Sequence, residues 1–406
     1  MCKWTLHELM ERAGCEKWPA HWECIYEDAM EEYEKNGCPL ASSEYYTVLT
    51  EKYGMLEGVL ELYQQAAIQI AQDEALSRLM VLLCVALRDR DKITEDLEEY
   101  GGPKAPLGKV ALGYNMFNGL AICSMADYCY EKLQKRGLPQ EVIKNVMCMP
   151  EKGVESYREK HDNEPGYENF SWYQRAIDCT LFNVGRLQIE VFEAMPDGVW
   201  VLENKKGEQV ALAYEMMLHK SGFQLGAVGF EEEEGSWSAT VTETKEYWEG
   251  HPYAEDGRVE SRVVRLCKSE WKKILCKGDP VIGLHIPEAG KLTPDLIDET
   301  MIRIKAFLEE YYPDYPYKAF VCHSWLMDPQ LISLVGEDSN IAKFNQRFRK
   351  LTRKCFGLAV FIFIFKKDPG TFRLEELPEK TRLERALKAH YMSGKKIYEL
   401  TGYFMA

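Results

Sequence analysis

The sequence predicts an α+β chain, an N-terminal helical bundle followed by a mixed α/β domain in which an antiparallel meander runs into a βαβ unit. Three observations carry this expectation. Apolar residues recur at helical spacing up to about residue 173, and no two-residue alternation appears before about residue 184. From residue 280, short apolar runs alternate with longer amphipathic stripes, the order expected of parallel strands joined by helices.

Taken in order, Leu56, Val59, Leu60, Tyr63, Ala67 and Ile70 form the stripe of an amphipathic helix. Asp73 is placed to cap the next, which carries Leu76, Leu79, Met80, Leu83 and Leu87 on one face. GGPKAP at 101–106 breaks the pattern; 109–135 then reads as one long helix, ended by Gly137 and restarted after Pro139. The polar segment HDNEPGYENF (161–170) suggests a boundary, giving domains at 1–173 and 174–406.

After the boundary the period changes. Leu187, Ile189 and Val191 alternate with Arg186, Gln188 and Glu190 as in a half-buried strand. Strand-like runs follow at 199–203, 209–217, 223–230, 237–247 and 259–267, with NKKG, KSG and EEEEGS as hairpin loops. VIGLHIP (281–287) is a short buried strand. Thr293-Pro294 then opens a helix whose apolar side is Ile297, Met301, Ile304, Leu308 and Tyr311. KAFVCH (318–323) is the second strand of the unit. A helical stretch from Pro329 to about Lys354 breaks near Gly336. FIFIF (361–365) is the third strand, and a helix over 381–398 closes the chain.

Composition narrows the function classes. The 406 residues are 46% hydrophobic and 28% charged, the balance of a chain that buries a core. With 65 acidic against 50 basic residues the formal charge is −15, which disfavours nucleic acid and anionic membrane as partners. Arg347, Arg349, Lys350, Arg353 and Lys354 are the densest basic stretch and read as a solvated helix face. The 13 cysteines contain no C-x-x-C pair, so no structural metal is expected. No signal-like segment opens the sequence, and the apolar runs 79–87 and 357–365 are short for a bilayer; the chain is expected to be cytoplasmic.

Ligands in open α/β sheets gather beyond the carboxyl ends of parallel strands. His285 and His323 lie at two such ends, and neutral imidazole accepts a proton near pH 7. Each also reads as an ordinary strand-end histidine. Asp328, before Pro329, fits a helix cap. Ser324 has no G-x-S-x-G surroundings, and Cys322 should face away from His323, into the core. The loop IPEAGKLTP leads into a helix N-terminus, where free N–H groups attract phosphate.

The strings GRLQIEVF (185–192), HIPEAGKLTPD (285–295), YKAFVCHSWLMDPQL (317–331) and SNIAKFNQRF (339–348), in this order of elements, resemble the GNAT acyltransferase fold. More closely they resemble a bacterial family with an N-acyltransferase-type helical N-terminal domain and a GNAT-like C-terminal domain. The resemblance spans nearly the whole chain. It implies acyl-CoA as co-substrate, entering between VIGLHIP and KAFVCHSW as two splayed strands, with its pyrophosphate on Glu288, Ala289, Gly290 and Lys291. The usual loop, Arg/Gln-x-x-Gly-x-Gly/Ala, is not matched at its leading residue or its second small one.

The resulting expectation is an N-acyltransferase acting on an amine of a small molecule, with His323, His285 or Glu190 as proton acceptor and no metal. A relative that keeps the fold and binds without transferring is the alternative, and a hydrolase using Ser324 or Cys322 with His285 is a third reading.

Overall fold

In the computed structural model, the described residues are 3–89, 100–106, 111–168, 170–288, 290–367 and 370–406. The chain divides into two compact units, Met1–Phe182 and Asn183–Ala406.

The first unit is helical. Asp73 caps the helix Glu74–Ala86 as expected, accepting from the N–H groups of Ala75 and Leu76 at 3.1 and 3.2 Å. Beyond the predicted stripe, Val81 and Leu82 are buried as well, so this helix is surrounded. Each fully buried leucine contributes roughly 1.5–3 kcal/mol. The helix read from Leu56 begins only at Leu60, because Leu56 sits at φ 65°.

The single helix expected over 109–135 is corrected. Residues 107–110 lie outside the described residues, and the rest is Leu112–Asn115, Phe117–Ile122, a 3₁₀ turn at Cys123–Met125 and Ala126–Lys135. Gly113 and Gly119 weaken helix propensity there. The Tyr167 ring packs where a Cβ on Gly119 would stand, 2.7 Å away.

The second unit is built on a six-stranded sheet in the order β1-β2-β11-β12-β14-β13. Its strands are β1 (Leu181–Val184), β2 (Leu187–Ala194), β11 (Pro280–His285), β12 (Ala319–Ser324), β13 (Arg349–Leu351) and β14 (Leu400–Met405). The antiparallel part between β2 and β11 is spread over three small sheets. They are β10-β3-β4 (Trp271–Cys276, Val199–Asn204, Gln209–Ala213), β5-β6 (Met216–Leu218, Trp237–Ala239) and β7-β8-β9 (Val241–Glu243, Tyr247–Gly250, Val264–Cys267). The α+β expectation holds, meander and βαβ included.

One core cluster joins the sheets. Val199, Val201, Ala211 and Leu275 pack with Val281, Ala319, Val321, Leu351 and Tyr403. Val281, Ala319 and Val321 therefore mark the inner face of the large sheet.

Several strand readings differ. Residues 223–230 form turns with an isolated bridge, and β10 was not expected. FIFIF is a π-helical turn, not a third parallel strand: Phe361 packs on Phe372 at 5.2 Å and Tyr391 at 4.7 Å. A short apolar run fits either period, and packing decided it. The closing helix spans only Arg382–Met392, and β14 follows, antiparallel to β12. The stretch 329–354 holds helices Gln330–Val335 and Asn340–Asn345, broken at Gly336, and then β13. The basic stretch is thus no single solvated face: Arg347 pairs with Asp298 at 2.6 Å, and Lys350 is buried. Among the described residues no helix is long and apolar enough to cross a membrane.

Candidate functional site

The parallel strands β11 and β12 pair over three positions only, Val281–Ala319, Ile282–Phe320 and Gly283–Val321. Both continue beyond that point, but with their outer neighbours. Leu284 and His285 pair with Ile189 and Gln188 of β2, while Cys322, His323 and Ser324 pair with Gly402, Thr401 and Leu400 of β14. The two strands part after Gly283 and Val321. His285 and His323 each lie two residues past the last shared pair, level across the opening and on the inner face.

The third candidate, Glu190, joins them. It stands opposite Gly283 on β2, diagonal to His285, and its Oε2 is 2.9 Å from His285 Nε2. Where Glu190 is ionised it only accepts, and His285 then donates to it through Nε2–H.

Glu193 is the residue that sequence reasoning missed. Strict alternation puts it on the opposite face from Glu190. Between them β2 carries a bulge: the partner of Val281 is Glu193 and that of Gly283 is Glu190, three residues against two. Phe192, at φ 67°, takes up the extra residue and turns its exposed ring onto Tyr312 and Tyr315. The Tyr315 hydroxyl lies 3.0 Å from the carbonyls of both Glu193 and Val281, pinning the bulge from the side. Burial pushes that phenol up to about 12, so it stays a donor. The Glu193-x-x spacing from Glu190 was the only available sign, since it suits one face only if a bulge intervenes.

The bulge brings Glu193 to His323, with Oε1 3.3 Å from Nε2. The other nitrogen, Nδ1, lies 2.8 Å from the hydroxyl of buried Thr401. Both nitrogens of His323 are therefore occupied. Glu193 Oε2 is enclosed and has no hydrogen-bond donor among the described residues. It lies where a Cβ on residue 283 would be, 1.9 Å away, so only glycine fits. Glu190, Glu193 and His285 are all half-buried, and one ligand atom of each lies within 4.8 Å of the others.

Other flagged residues have structural roles. Cys322 is buried, and burial pushes its thiol up to about 12. Ser324 accepts from Leu326 N–H at 3.1 Å and caps the 3₁₀ turn Trp325–Met327. Asp328 accepts from the N–H groups of Gln330 at 2.8 Å and Tyr398 at 2.7 Å. Burial nonetheless raises its carboxyl to about 6.

The loop after β11 leads to the helix Pro294–Tyr311, with proline at its first position. Glu288 is exposed and ion-paired with Lys366. Gly290 has φ 63° and open space around it, and Lys291 is exposed. Ala289 lies outside the described residues. Arg186, a second residue the sequence did not single out, organises this loop. Its guanidinium donates to the carbonyls of Pro287 (3.0 Å), Gly290 (3.3 Å) and Lys291 (3.3 Å).

Comparison with known proteins agrees with this fold. A family model described as GNAT-like C-terminal domain matches residues 181–404, and one described as N-acyltransferase N-terminal domain matches residues 47–179. An acyltransferase crystallised with octanoyl-CoA superposes with a TM-score of 0.60 at 20% identity, covering 98% of this chain and 94% of that one. An acyltransferase in complex with decanoyl-CoA and teicoplanin gives 0.59 at 20% identity, with the same coverage. One with decanoyl-CoA gives 0.60 at 19%, covering 98% of each chain. At such identity the likeness is one of fold. No curated protein matches the chain.

Proposed function

The chain belongs to the GNAT-like C-terminal domain family, and from that premise we propose that it is an acyl-CoA-dependent N-acyltransferase whose acceptor is an amine of a small molecule. The observation that carries the reading is the parting of β11 and β12 after Gly283 and Val321, with two imidazole–carboxylate pairs level with the gap.

In this reading the thioester lies in the gap, where backbone groups of β11 and β12 no longer pair with each other and can polarise its carbonyl. The pyrophosphate rests at the N-terminus of the helix Pro294–Tyr311, on the loop that Arg186 holds, with Glu288, Gly290 and Lys291 around it. The amine nitrogen attacks the carbonyl carbon, the C–S bond breaks, and the CoA thiolate leaves and is protonated. The proton lost by the amine goes to the His285 imidazole, with Glu190 orienting the ring and stabilising the imidazolium. His323 is a positioning residue, since both its nitrogens are bound and it holds Glu193. The solved acyltransferases bind octanoyl- and decanoyl-CoA, which supports medium-chain acyl-CoA as the donor class.

A second reading, a binding protein without transfer activity, is favoured by the departed loop sequence and by the three loop carbonyls tied to Arg186. Titration of octanoyl-CoA followed by CoA-thiol release with a panel of amines separates the two. Binding with amine-dependent thiol release supports the enzyme; binding without release from any amine supports the second reading.

A further inference from the structure

We propose that Glu190, Glu193 and His285 form a binding site for one divalent transition-metal ion, zinc foremost, and that the ion inhibits acyl transfer by taking the place of the proton between Glu190 and His285. The inhibitory half rests on the function proposed above; the binding half stands on geometry alone.

Three donors of mixed type converge here. One ligand atom each from two carboxylates and an imidazole lie within 4.8 Å of one another. Zinc bonds to such atoms are about 2.0–2.2 Å long and set tetrahedrally, so donors sharing one ion stand about 3.3–3.6 Å apart. Side-chain adjustments of under about 1 Å close the set. The convergence depends on the β2 bulge, which places both glutamates on one face, and on Gly283, which leaves room for the Glu193 carboxylate.

Charge points the same way. Glu193 is about four-fifths buried, with 20% of its side chain exposed, and its ion-pair partner is His323 rather than a lysine or arginine. Its Oε2 is enclosed without a donor among the described residues. A buried carboxylate oxygen in that state is costly, and a cation relieves it. His323 Nε2, 3.3 Å from Glu193 Oε1, stands beside the set.

The donor set selects the ion class. Imidazole with carboxylates suits zinc, cobalt and iron, whereas magnesium and calcium prefer oxygen alone. Only the neutral imidazole offers a lone pair to the ion, so affinity falls as the solution becomes acidic. An ion on His285 and Glu190 removes the proton acceptor while leaving the loop before Pro294 untouched. Inhibition should therefore compete with the amine and not with acyl-CoA.

The test uses the full chain loaded with Co²⁺ as a spectroscopic probe and Zn²⁺ in calorimetry, with octanoyl-CoA titrated separately. The proposal expects one ion per chain, visible cobalt bands without thiolate charge-transfer absorption, and a loss of roughly tenfold or more in affinity in Glu193→Gln. His285→Asn serves as a second variant, with thermal melts confirming that both fold. No ion bound, thiolate bands from cysteine binding, or equal affinity in both variants would overturn it. Ion binding with no octanoyl-CoA binding would leave the site standing and remove the acyltransfer reading instead.

Discussion

Gly283 and Glu193 compete for one position: a Cβ on residue 283 would stand 1.9 Å from Glu193 Oε2 and 3.1 Å from Glu190 Cβ. The carboxylate reaches the inner face because β2 bulges, and it stays there because β11 carries no side chain opposite. Gly283→Ala should therefore displace Glu193, costing about 1–3 kcal/mol of stability as an overpacked substitution. Chemical denaturation measures the loss, and unchanged stability would mean that the bulge relaxes freely.

His285→Asn should slow CoA-thiol release in the presence of an acceptor amine by roughly 10²–10⁴-fold, the usual contribution of a positioned base. Octanoyl-CoA affinity should be unchanged, because the imidazole handles the proton of the other substrate. A matching fall in affinity would place His285 in donor binding instead.

Arg186→Ala should act in the opposite sense. Without the guanidinium, the carbonyls of Pro287, Gly290 and Lys291 lose a shared anchor, and the loop should become less ordered. We expect octanoyl-CoA to bind roughly tenfold more weakly, a loss of about 1.4 kcal/mol, with little change in turnover at saturation. Tighter binding in the variant would show that Arg186 closes the loop against CoA.

Asp328 gives the pH prediction. Burial raises its carboxyl from 3.8 to about 6 in the folded chain. Between those values the folded state holds more protons than the unfolded one, so this group's contribution to stability falls as pH rises through that window. The cost is complete above about pH 6 and, for a shift of this size, is on the order of 3 kcal/mol at most. Denaturation midpoints at pH 4.5 and 7.5 should show that drop in the wild type and a smaller one in Asp328→Asn. The variant itself should be less stable at pH 4.5, since one of the Gln330 and Tyr398 N–H donors then faces an amide donor.

Much of the site was legible because its pieces are local. β11 ends on His285, β12 carries His323 one residue before its end, and Thr293-Pro294 announces the helix beyond the loop. What alternation could not give was Glu193, since one left-handed residue, Phe192, inverts the face of everything after it on β2. Arg186 escaped notice for another reason: its partners are backbone carbonyls about a hundred residues away. β14 was hidden by its composition. LTGYFM carries a glycine within the strand, and its partners are distant in sequence.

The central claim is tested most directly by calorimetric titration of octanoyl-CoA into the wild-type chain and into Gly290→Asp, which adds a negative charge and a Cβ at φ 63°. The account predicts saturable one-to-one binding to the wild type and a loss of at least roughly tenfold in the variant. No binding to the wild type, or equal binding to both, would contradict it.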